Sequence, residues 1–197
     1  MFDLIKLLKP FAIIETGTFR GISLEWLARH YRGPIFSCEK ERLYVIQARS
    51  RLATFGNVDL RLADSRQFLR EVIEAVPTDD CILAYLDAHW GGDLPLREEL
   101  AIIFERHLKA VVMIDDFRVP GDPGYGWDDY GPAGSIELPL LDGVIPADPR
   151  LFFPTLPSTG ETGARRGCCI IASKAAEIVA QCRLLRGDTL KHWLDVR

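Results

Sequence analysis

The sequence predicts an α/β protein with a doubly wound, mostly parallel sheet of about seven strands. Two observations carry that prediction. Short apolar runs alternate along the chain with stretches of helical periodicity. Several of the runs are continuously apolar, as strands are when helices cover both faces of the sheet.

The elements follow in order. FAIIE (11–15) reads as the first strand, and SLEWLARHY (23–31) has apolar residues at helical spacing. PIFSCE (34–39) is the second strand, RLYVIQARSRLATF (42–55) a helix, and VDLRLA (58–63) an alternating third strand. SRQFLREVIEAV (65–76) is helical, CILAYLD (81–87) is a buried strand, LREELAIIFERHL (96–108) is helical and AVVMIDD (110–116) is another buried strand. The alternation then breaks. Residues 117–135, FRVPGDPGYGWDDYGPAGS, are rich in Gly, Pro, Asp and aromatics, and form a long loop beside a strand end where substrate contacts belong. LFFPTL (151–156) and GCCIIAS (167–173) read as two later strands, and 174–186 as a closing helix.

Bulk properties bound the function. The chain has 197 residues, is 48% hydrophobic, and shows no linker or repeat, so 1–197 is expected to form a single domain. A net charge of −4 disfavours bulk attraction to nucleic acid or anionic lipid; Arg165-Arg166 is the one local basic candidate. The five cysteines are odd in number and mostly sit in apolar runs, which reads as free thiols in a reducing compartment. The start, MFDLIKLLKP, carries Asp3 and Lys6 in too short an apolar stretch for a signal peptide, and no segment reaches a membrane span. The expectation is a cytoplasmic protein without a membrane or nucleic-acid partner, and a homodimer is compatible with it.

The strand ends carry the chemistry. In an open parallel sheet, ligands bind beyond the carboxyl ends of the strands. Here those ends are Glu15, Glu39, Asp64, Asp87 and Asp115-Asp116. Helix capping accounts for Asp64 with Ser65, but poorly for the others. Carboxylates along one edge repel each other unless a cation or a hydroxyl-rich ligand offsets them. After the first strand comes Glu15-Thr16-Gly17-Thr18-Phe19-Arg20-Gly21, with glycines for a tight turn and close backbone approach. A dinucleotide site would have glycine in place of Glu15. An acid there repels pyrophosphate and attracts a cationic ligand. Glu39, ending the second strand, suits two ribose hydroxyls, and Asp64-Ser65 a base edge. Together they describe a nucleoside with a cationic amino-acid tail.

This ordered set, ExGxxxG, the acid ending strand two, ADS after strand three and LDAHW ending strand four, resembles class I S-adenosylmethionine-dependent methyltransferases over roughly residues 10–175. The resemblance implies a Rossmann-like sheet whose last strand is antiparallel. It implies that Glu15, Thr16, Gly17, Thr18 and Gly21 build the methionine cradle, Glu39 takes the ribose, and Asp64 with Ser65 the adenine. Asp87 would also face the donor.

LDAHW with VVMIDDF is similar, more narrowly, to metal-dependent O-methyltransferases of sugars and antibiotic scaffolds. That similarity implies Mg²⁺ or another divalent cation at Asp87, Asp115 and Asp116, oxygen ligands that suit a hard ion. The ion would acidify and orient a hydroxyl of a small-molecule or carbohydrate acceptor. Asp87 and His89 are the candidate catalytic residues, with His89 placed to take the proton. Alternatively, His89 bonds a backbone carbonyl or stacks on Trp90. Trp90, Tyr125, Trp127 and Tyr130 either form an aromatic substrate wall or anchor the loop. Residues 159–167 either contact the acceptor or form a hairpin with solvated arginines. Two other readings stand beside this one: a metal-independent N- or C-methyltransferase, and a non-catalytic nucleoside-binding relative.

Overall fold

The computed structural model describes residues 1–90, 92–146 and 148–195. Its strands are β1 Ala12–Thr16, β2 Ile35–Glu39, β3 Val58–Leu62, β4 Ile82–Leu86, β5 Val111–Asp115, β6 Arg150–Pro154, β7 Cys168–Ala172 and β8 Leu185–Thr189. Its helices are α1 Phe2–Leu8, α2 Ile22–His30, α3 Arg42–Leu52, α4 Ser65–Ala75, α5 Leu96–Arg106, α6 Ala176–Val179 and α7 Leu190–Asp195. All eight strands form one sheet in the order β3-β2-β1-β4-β5-β7-β6-β8. The first five pair in parallel. β7 runs antiparallel to both β5 and β6, and β8 antiparallel to β6.

The alternating side-chain directions of a strand explain the continuous apolar runs. Ile14, Ala84, Val112 and Ile114 face one core, under Phe68, Leu69 and Val72 of α4 and Leu96, Leu100 and Ile103 of α5. Their chain neighbours Ile13, Leu83 and Val111 face the other, under Leu4 and Leu8 of α1, Leu24 and Leu27 of α2, and Ala48 of α3. Each fully buried Leu or Ile contributes roughly 1.5–3 kcal/mol. A polar residue at either of two consecutive positions would therefore damage one core or the other.

Three departures from the sequence reading have local causes. The sheet has eight strands, not about seven. Residues 174–186 are not one helix: α6 stops at Val179, and Leu185–Thr189 pairs with β6. LRGDT has weak strand propensity, so its state is decided by its partner. A Cβ on Gly187 would lie 2.1 Å from the Phe152 ring, so glycine is what lets that ring cover β8. The N-terminal residues form α1, whose Leu4, Ile5 and Leu8 are buried. No helix among the described residues is long and apolar enough to cross a membrane.

The winding reverses between β1 and β4, which neighbour each other while their helices cover opposite faces. The crevice beyond their carboxyl ends is the topological switch point of such a sheet.

Candidate active site

A cavity of about 510 Å³ opens at this switch point. Gly17, Phe19, Glu39, Tyr44, Asp64 and Ser65 line one part of it, and Asp87, His89, Trp90, Asp116 and Asp128 the other. The volume lies within the range of small-ligand sites.

The cradle is built from β1 and β2. Gly17 has φ of 79°. The Gly17 and Thr18 amides both donate to the Cys38 carbonyl, each at 3.1 Å. The Phe19 amide donates to Glu39 Oε2 at 2.7 Å and the Glu41 amide to Oε1 at 2.8 Å. Two backbone donors thus fix the Glu39 carboxylate at the cavity wall, and each oxygen keeps a lone pair for a ligand hydroxyl. Phe19 and Tyr44 pack edge to face at 4.4 Å beside it, an aromatic pair the sequence reading had not singled out.

Glu15, Thr16, Thr18 and Gly21 do not line the cavity; they build the turn beneath it. Glu15 is fully buried. It receives hydrogen bonds from Ser23 at 2.7 Å and Ser37 at 2.6 Å. Burial raises its pKa to about 7, partly offset by the Ser37 and Ser23 hydroxyls. Ser37 lies in turn 2.5 Å from the Thr18 hydroxyl, which donates to the Cys38 carbonyl at 3.0 Å. Glu15, expected to meet the ligand, instead ties β1 to α2 through Ser23 and to β2 through Ser37. Glu39, Asp64 and Asp87, by contrast, line the cavity.

Asp64 caps α4 by accepting from the Arg66 amide at 2.9 Å, and pairs with the Arg66 guanidinium at 2.6 Å. Those Arg66 contacts lower its pKa to about 2. Its cavity-facing position remains, but both carboxylate oxygens are engaged by Arg66, which leaves Oδ2 the freer of the two. Below Ser65 lies Glu99 of α5, a buried carboxyl absent from the sequence reading. Burial raises its pKa to about 7, with Ser65 the main offset.

At the other end Asp87, His89 and Asp116 each offer a ligand atom, all within 4.8 Å of one another. Asp87 follows β4. Burial raises its pKa to about 9, and the charges of Asp115, Asp116, Glu15 and Asp128 add to that. The His89 ring is buried and held below its usual pKa by desolvation; both ring nitrogens lack a hydrogen-bond partner. An orphaned imidazole facing a crowded carboxylate at 3.8 Å is a donor set that fits a divalent cation.

The expected triad of Asp87, Asp115 and Asp116 is altered accordingly. Consecutive strand residues project to opposite faces. Asp115 turns to Tyr85, whose hydroxyl donates to it at 2.6 Å, while Asp116 leaves the strand with φ of 52°. Asp115 is outside the group, and His89 is inside it.

The loop 117–135 is stitched down. Asp122 accepts from the Ser158 amide and hydroxyl at 2.8 and 2.6 Å, and Tyr125 donates to the Leu156 carbonyl at 2.9 Å. Trp127 donates to Ser135 under Arg118, so Tyr125 and Trp127 are anchors. Tyr130 donates to Asp128 at 2.5 Å and lies 3.1 Å from the His89 carbonyl. Of the four expected wall aromatics, Trp90 lines the cavity, and it is 78% exposed. Arg166 is exposed but paired: its guanidinium bridges Asp116 and Asp128.

No family model and no curated protein matches the chain. Solved structures do match. The O-methyltransferase TomG from Streptomyces achromogenes, involved in tomaymycin synthesis and in complex with SAM, superposes with a TM-score of 0.62 at 22% identity, covering 87% of this chain and 77% of that one. The O-methyltransferase from Bacillus cereus in complex with SAH gives 0.58 at 19% identity, covering 88% of this chain and 78% of that one. Spermidine synthase from Thermotoga maritima gives 0.60 at 15% identity, covering 91% of this chain and 59% of that one. The expected fold, that of class I S-adenosylmethionine-dependent methyltransferases, is thus the fold observed. The third neighbour carries another activity on the same frame, so the reaction has to be argued from the site.

Proposed function

We propose that this protein transfers the methyl group of S-adenosylmethionine to a hydroxyl of a small-molecule or carbohydrate acceptor, assisted by a divalent cation. The observation that carries the reading is the single cavity with a Glu39 carboxylate at one end and the Asp87, His89 and Asp116 group at the other.

Glu39 accepts the ribose hydroxyls, Ser65 and the free edge of Asp64 meet the base, and Gly17 allows the methionine portion to lie against the backbone. The acidic wall attracts a sulfonium and repels a pyrophosphate. Asp87 and Asp116 would hold the cation, which would lower the pKa of a bound hydroxyl, with the His89 ring beside them as the base. His89 stays neutral at physiological pH, because burial depresses its pKa, so one ring nitrogen has a lone pair for the hydroxyl proton. As the acceptor oxygen forms its bond to the methyl carbon, the carbon–sulfur bond breaks and the sulfonium becomes a neutral thioether. Trp90 offers the acceptor an exposed flat face beside this point.

Calorimetric titration tests the reading with S-adenosylmethionine and S-adenosylhomocysteine, each with and without Mg²⁺, and NAD as control. Micromolar binding of the two sulfur ligands without NAD binding is expected. NAD binding of equal strength, or no binding of either sulfur ligand, would overturn it.

A further inference from the structure

Arg166 is set into the acid cluster by its backbone. The Gly126 amide donates to the Arg165 carbonyl and the Gly167 amide to the Gly126 carbonyl, both at 2.8 Å. The Phe117 amide closes the ladder on the Gly167 carbonyl at 3.0 Å, and the Asp128 amide donates to the Asp116 carbonyl at 3.0 Å. Gly126 gives the arginine its path: a Cβ there would meet Nη1 at 3.2 Å and Cδ at 3.6 Å. Arg166 Nε then reaches Asp116 and an Nη reaches Asp128. One guanidinium ties the strand-end carboxylate to the carboxylate of the 117–135 loop. That planar fork suits two carboxylates at once, which an ammonium does not.

Asp116 also converges with Asp87 and the partnerless His89 ring. Its carboxylate therefore stands between a resident cation and a candidate cation site. We propose that Arg166 is the site's built-in counter-cation, a positioning residue that sets its affinity for divalent ions because ion uptake at Asp116 proceeds against the guanidinium. This rests on the cation-assisted reading. Without an ion, Arg166 offsets the repulsion between Asp116 and Asp128 and keeps the loop docked. With an ion, the guanidinium would stand beside a doubly positive charge, and the repulsion would weaken its hold on Asp116. A purely supporting arginine would behave the opposite way: its loss would loosen Asp116 and weaken the ion.

Mn²⁺ titration by calorimetry and by electron paramagnetic resonance separates the two for the wild type, Arg166→Gln and Arg166→Lys. Arg166→Gln is expected to bind Mn²⁺ about tenfold tighter than the wild type, and Arg166→Lys about threefold tighter. Without metal Arg166→Gln should melt below the wild type, and Mn²⁺ should raise its melting temperature by more. Equal or weaker Mn²⁺ binding in Arg166→Gln would overturn the inference while leaving the cation reading intact. Should Arg166→Gln not fold without metal, unchanged affinity in Arg166→Lys would do the same. Silence toward Mn²⁺ in all three proteins would overturn both.

Discussion

Gly17 and Asp87 touch where the sheet reverses its winding: a Cβ on Gly17 would lie 2.1 Å from the Asp87 carbonyl oxygen and 2.8 Å from the Ala88 nitrogen. The donor cradle and the candidate catalytic group are thus in backbone contact. The β1 turn cannot shift without moving the residue that ends β4.

Gly17→Ala combines that clash with a φ of 79°. Overpacking and a left-handed backbone together should cost about 2–4 kcal/mol. Denaturant unfolding measures the loss, and calorimetry should show S-adenosylhomocysteine affinity falling with it. A variant as stable as the wild type would mean the turn is not packed as described.

Glu39→Ala removes the carboxylate that two backbone amides hold at the cavity wall. Loss of charged hydrogen bonds to a ribose, about 1.5–3 kcal/mol, predicts a tenfold or greater weakening of S-adenosylhomocysteine binding. Undiminished affinity would remove Glu39 from the donor site.

Asp116→Asn and Asp115→Asn should part company. The first removes a member of the converging group and should weaken Mn²⁺ binding about tenfold or more, with donor affinity nearly unchanged. The second alters a carboxylate engaged by Tyr85 and should leave Mn²⁺ affinity close to the wild type. Equal losses in both variants would return Asp115 to the cation set.

Stability should depend on pH through Glu15 and Glu99. Both are fully buried, with pKa raised from 4.5 to about 7. Between those values the folded protein keeps protons that the unfolded chain releases. Stability therefore falls as pH rises from 4.5 to about 7, then levels off for these groups. Each contributes on the order of 3 kcal/mol to that fall. Asp87, raised from 3.8 to about 9, acts in the same direction. Melting curves of metal-free protein across this window should show a shallower slope for Glu99→Gln than for the wild type. An identical slope would mean that Glu99 titrates normally.

The alternation of strands and helices, the glycine turn after the first strand and the acids at the strand ends were legible in the sequence. They depend on local periodicity and on the rule that ligands meet an open sheet at its carboxyl edge. Glu39, Asp64, Asp87 and Asp116 indeed line one cavity. β8 was not legible, because LRGDT carries no strand signal and acquires its state from β6. Glu99 was hidden for a related reason: a glutamate in an amphipathic helix reads as surface until the neighbouring elements close over it.

What the sequence by itself determined is which residues reach the edge of the sheet. What only the tertiary structure decided is where their side chains point and what neutralises them. Asp115 and Asp116 are adjacent in the chain, yet one meets Tyr85 and the other Arg166. Glu15 sits near the end of its strand, held by two serines and outside the cavity lining. The physical reason is range. A period of two places a residue near a strand end, but the energy of a carboxylate there is set by hydrogen-bond donors and charges brought in from distant parts of the chain.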